Sequence, residues 1–123
     1  MPILHLDKQV LSDARLSDAE IAIQQLDGAD RSLVIVEIPD GRTLMIGGGP
    51  RYFVVECAEN ETDRWCVVNP ISSEDSIDIV VGGSLVDYPA RVCVDLKAAL
   101  EAVRVFIAED GCRSPLLVWS VET

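Results

Sequence analysis

Four cysteines, one histidine and twenty-one acidic side chains are the residues of this chain that could carry chemistry. Cys57, Cys66, Cys93 and Cys112 are widely spaced, form no C-x-x-C pair and lie far in sequence from His5. That spacing argues against a Cys/His zinc site. The thiols read as small buried hydrophobes kept reduced. Only Arg113 beside Cys112 and Arg64 near Cys66 offer the positive charge that would make a thiol reactive. Carboxylate pairs such as Glu59 with Glu61 and Glu74 with Asp75 fall in polar turns, where water keeps them ionised. General acid/base work needs a protected carboxylate, which nothing in the pattern supplies. The Asp-x-Asp-x-Asp-Gly calcium loop is absent, as is a G-x-S-x-G elbow, and His5 is the sole imidazole. Gly47-Gly48-Gly49-Pro50 is followed by neither Lys-Ser nor Lys-Thr and opens no helix, so it reads as a glycine-rich turn or bulge and not a phosphate loop. These residues predict no catalysis, no cofactor and no metal.

Charge says more. Twenty-one acidic against ten basic residues give a net charge of −11. Such a chain repels phosphate backbones and anionic lipid surfaces, which argues against nucleic acid and membrane as partners. Its field attracts a basic protein and speeds the encounter with one, although plain solubility explains acidity equally well. No apolar run is long enough to span a bilayer, and Met1 to Val10 lacks a basic leader, so the expected location is the cytoplasm.

The elements that would position these groups form one expected domain spanning residues 1–123, with half its residues hydrophobic and enough length for a core. Ser17 with Glu20 reads as a capping box opening a short helix that Gly28 closes, with Ile21, Ile23 and Leu26 as its apolar stripe. Strands are predicted at 32–38, 42–46, 52–57, 64–68 and 77–81, with Pro39-Asp40-Gly41, the glycine run and Asn69-Pro70 as breaks. Asp95 caps an amphipathic helix running to Gly111, in which Leu96, Ala99, Leu100, Val103, Phe106 and Ile107 share a face. Leu116–Val121 is the last strand, and Trp119 and Trp65 read as core. The predicted fold is therefore α+β: an antiparallel meander with a short N-terminal helix and a C-terminal amphipathic helix packed on one face, then a last strand. The other sheet face is left free for solvent or a partner.

Tyr88-Pro89, then Val94-Asp95-Leu96 opening a helix through Ala102, Val103 and Phe106, then Gly111, Arg113, Pro115 and Val118-Trp119 resemble the Imm1 family of immunity proteins. Leu44 to Gly49, Tyr52-Phe53 and Asn69-Pro70 fit the same order, so the likeness covers roughly residues 33–121. It departs at Ser114, which separates Arg113 from Pro115 where the family has the two adjacent. The resemblance implies a small cytoplasmic α+β protein, not an enzyme, that binds and neutralises a toxin encoded beside it, often a nucleic-acid deaminase. A basic substrate groove on such a toxin suits acidic turns as the blocking element. The candidate contacts are Glu59, Glu61 and Asp63 in one turn and Glu74, Asp75 and Asp78 in another, with Tyr52 and Tyr88 as aromatic anchors. An acidic type III secretion chaperone or effector-binding adaptor is the alternative partner-binding class, and a small ligand-binding domain with a deep pocket is a third.

Overall fold

The computed structural model describes residues 2–69 and 75–122, so Glu74 and Pro70 lie outside the described residues. Its elements are β1 (Ile3–Leu6), β2 (Val10–Leu11), α1 (Leu16–Gln24), β3 (Leu33–Glu37), β4 (Thr43–Gly48), β5 (Phe53–Ala58), β6 (Arg64–Val67), β7 (Ser76–Val81), β8 (Ser84–Pro89), α2 (Leu96–Ala108) and β9 (Trp119–Glu122). Among the described residues, seven strands form an antiparallel sheet in the order β2-β1-β3-β4-β5-β6-β9, and β7 pairs only with β8 as a separate ribbon.

Strand alternation builds the core. Leu4, Val36, Leu44, Cys57 and Trp65 lie in register across the sheet, with Val34, Ile46 and Val55 two pairs along on the same face. All point toward the helices, where α2 contributes Ala99, Ala102, Val103 and Phe106 and α1 contributes Ala19 and Ile23. Asp95 accepts the Ala98 amide at 2.9 Å, satisfying one of the first-turn donors of α2. The first helix starts earlier than its sequence suggests: Asp18 reaches back to the Arg15 amide at 2.8 Å, so the box is set two residues before Ser17–Glu20. It ends at Gln24, well short of Gly28, and Ile21 is 53% exposed instead of joining the stripe.

Four expectations for the sheet change. The N-terminal residues, for which no strand is predicted, form β1 between β2 and β3, with His5 Nε2 2.9 Å from Glu37 Oε1. Gly47 and Gly48 do not break the pairing but continue it, opposite Val54 and Phe53. The last strand begins at Trp119, not Leu116. Most consequential, 77–81 is no meander strand. Gly82 and Gly83, with φ of +61° and +83°, close a two-residue turn that folds Ser84–Pro89 back onto it.

That ribbon covers part of the sheet face expected to be free. Ile79 joins Val54 and Cys93 in a second buried cluster, with Met45, Tyr52, Ile77, Val81, Tyr88 and Val92 around it. Glycine is what permits the approach: a Cβ on Gly47 would lie 2.6 Å from Val81 Cγ1, and one on Gly48 2.7 Å from Ile79 Cγ2. The ribbon tip is tied down by the Gly83 amide donating to Ser32 Oγ at 2.9 Å. Ser32 in turn donates to Asp7, from its amide and its hydroxyl, at 2.9 Å each.

Ser114 has a structural reason. Its buried hydroxyl donates to Glu101 Oε2, and its carbonyl accepts the Trp119 indole N–H at 3.0 Å, so one residue ties α2 to the final strand. The Arg104 guanidinium and then the Ser114 hydroxyl hold the Glu101 carboxyl below its ordinary value of 4.5. A depressed carboxyl stabilises the fold above its unfolded value, and that contribution is lost as pH falls through the folded one. Ser114→Ala should therefore cost about 2 kcal/mol at neutral pH. Thermal melts of both proteins on the acid side should show the gap narrowing as Glu101 protonates.

Candidate functional site

The expected contact residues lie on two different elements. Glu59, Glu61 and Asp63 lie in the β5–β6 turn, at the end of the sheet where Ala58 faces Thr43 and Arg64. Asp75 and Asp78 belong to the ribbon, which meets the sheet at Gly47 and Gly48, opposite Val54 and Phe53.

The turn is partly self-satisfied. Asn60 Oδ1 accepts the Thr62 and Asp63 amides, both at 2.8 Å, and its Nδ2 donates to Asp63 Oδ2 at 2.8 Å. Arg113 Nη2 sits 3.9 Å from Glu59 Oε1, and its guanidinium lies 3.6 Å from the centroid of the Trp65 ring. Glu61 remains exposed.

The ribbon carries a different surface. Ile77, Ile79, Val81 and Tyr88 face the sheet. The register then sets Val80 opposite Leu85 and Asp78 opposite Asp87 on the outward side. Leu85 is 69% exposed, and both aspartates are exposed. Asp87 and Leu85 are not among the residues expected from sequence, because no strand is predicted over 84–89. The signal was Gly82-Gly83 between two apolar runs, the signature of a type I′ hairpin. Tyr52 and Tyr88 are half-buried in the second cluster, so their rings pack more than they protrude. Arg51 stacks on Tyr52 at 5.1 Å from the ring centroid.

Two further surface features are grooves, and only the first borders the ribbon. One of about 360 Å³ runs between ribbon and sheet, lined by Met45, Glu56, Cys66, Tyr88, Arg91 and Val121. The other, about 690 Å³, lies along α2 and is lined by Leu96, Leu100, Leu116 and Leu117 with Glu20 and Arg104 at its rim. Among the described residues no three His, Cys, Asp or Glu side chains are grouped to hold a metal ion. No helix there is long and apolar enough to cross a membrane.

The cysteines divide, against the expectation that all are buried. Cys57 and Cys93 are buried, Cys66 is half-buried and Cys112 is exposed. Burial pushes the Cys57 thiol up to about 11 and raises Cys93 as well. Since the thiolate is the reactive form, Cys112 should react first with a disulfide reagent in the folded protein, and Cys57 and Cys93 only on unfolding. Thiol counting with and without denaturant checks this.

Fold and surface together define an α+β domain whose exposed ribbon pairs acidic with apolar side chains. The chain belongs to the Imm1 family of immunity proteins, whose family model matches residues 10–121. A comparison with curated proteins gave no match.

Proposed function

We propose that this chain is the immunity partner of a polymorphic toxin, which it binds stoichiometrically in the cytoplasm of the cell that makes the toxin and so keeps from its substrate. The family match over residues 10–121 carries this reading. The net charge of −11 supports a basic toxin, such as a nucleic-acid deaminase with a cationic substrate groove. In this reading the protein performs no chemistry of its own and needs neither metal nor cofactor. The ribbon acids Asp75 and Asp78 face the toxin. Glu59, Glu61 and Asp63, at the far end of β5, add to the long-range field that steers encounter.

Co-expression provides the test. The toxin domain encoded immediately upstream should arrest growth alone and be tolerated when this chain is present, and continued arrest contradicts the reading. With purified components, raising salt from about 0.05 M to about 0.5 M should slow association by about tenfold or more, because the Debye length shrinks severalfold. An association rate indifferent to salt removes the electrostatic part.

A further inference from the structure

We propose that the free edge of β8 is where the partner docks, with an extended basic segment of the toxin adding to the ribbon as a third strand. This rests on the reading of the chain as a toxin-binding immunity protein and adds the surface used and the conformation of the segment that meets it.

The backbone carries the inference. The Ala90 amide donates to Asp75 O at 2.8 Å, which fixes the alternation of hydrogen-bonded pairs along the ribbon. Ile77 with Tyr88, Ile79 with Val86 and Val81 with Ser84 are then the pairs that exchange bonds. The N–H and C=O groups of Leu85 and Asp87 consequently point away from β7, and among the described residues no other strand pairs with β8. Folded proteins protect such edges with lysine, proline, bulges or very short strands. The six residues Ser84–Pro89 contain no lysine and a single charge, Asp87, and the one proline sits at the base, beyond Leu85 and Asp87.

The side chains select the occupant. Val80 and Leu85 form an outward apolar pair at the tip, and Leu85 is 69% exposed. Beside them Asp78 and Asp87 stand directly opposite each other. Like charges at opposed positions destabilise a strand pair, and a cationic side chain from a third strand relieves that repulsion. A second copy of this chain is a poor occupant, since it brings another −11. A basic strand with an apolar residue near its lysine or arginine satisfies edge, apolar pair and acids together, which is strand addition with side-chain selectivity.

The test uses an inactive form of the upstream-encoded toxin domain and isothermal calorimetry. Leu85→Pro removes one outward N–H while sparing every bond to β7, a position where an edge strand tolerates proline. It should weaken binding by about a hundredfold or more, as should Asp87→Lys. Glu109→Lys, which changes net charge equally at an exposed position just past the end of α2, should change affinity less than about threefold. Hydrogen exchange on the unmodified protein should show the Leu85 and Asp87 amides gaining protection in the complex, a readout independent of how the variants fold. If the unmodified chain binds but neither variant weakens it and those amides stay unprotected, the edge proposal is wrong and the toxin reading stands. If the unmodified chain does not bind, both fall. A dimer of the free protein that Leu85→Pro dissolves also overturns the proposal, since the edge then serves self-association.

Discussion

Replacing Phe106 with alanine should lower the stability of this protein by about 3–5 kcal/mol, the range for emptying a fully buried aromatic site. Phe106 is 1% exposed and lies on the buried face of α2 with Ala99, Ala102 and Val103. That face meets Leu44, Ile46, Phe53 and Val55 of the sheet within one continuous cluster. The small alanines let the helix approach closely, and Phe106 fills the space they leave. A domain of ordinary stability holds about 5–15 kcal/mol in total, so the loss consumes a large share of it. At roughly 4 °C per kcal/mol for this size, the thermal midpoint should fall by about 12–20 °C. Phe106→Leu, which keeps most of the volume, should cost less than half as much. Equal losses for the two substitutions contradict the packing assigned to this site.

The second large effect is local to the ribbon. Gly48 has a φ of +103°, and a Cβ there would lie 2.6 Å from Tyr52 O and 2.7 Å from Ile79 Cγ2. Gly48→Ala combines backbone strain with overpacking, each of about 1–3 kcal/mol, and should cost about 3 kcal/mol or more. Gly47→Ala separates the two causes. Its backbone is ordinary, and the nearest atoms a Cβ would meet all belong to Val81, whose Cγ1 would lie 2.6 Å away. Trimming that partner should relieve it: Gly47→Ala with Val81→Ala should be more stable than the sum of the single changes predicts. Additive effects in denaturant melts contradict the docking of β7 on β4.

Some of this was legible in the residues and some was not, for physical reasons. Helix α2 repeats its apolar positions over three turns behind an Asp cap, and local pattern alone specifies it. The strands β3 to β6 likewise follow from β-branched runs broken by turns. Strand β1 is four residues long and holds together by pairing with β3 some thirty positions away, a tertiary effect no local window contains. Strand β8 is mostly exposed, so its Ser-Leu-Val-Asp-Tyr-Pro sequence lacks the apolar alternation of a half-buried strand. Missing it misplaced 77–81 and, with it, half of the acidic surface. Acidity itself was plain from composition, but its division between the β5–β6 turn and the ribbon depended on which strands pair. The glycine run shows the same limit. Its residues signalled a turn, and only the ribbon packed above explains why Gly47 and Gly48 sit within a strand. Ser114 looked like a departure from the family pattern and proves to be the residue that binds Glu101 and Trp119.

In the function proposed above, this acidic domain silences a toxin by occupying it. Titrating the purified chain into the active, upstream-encoded toxin domain while following turnover of its substrate tests that directly. Activity should fall linearly to zero at one equivalent, with the break sharp at concentrations well above the dissociation constant. Activity that persists with the chain in large excess would contradict the account.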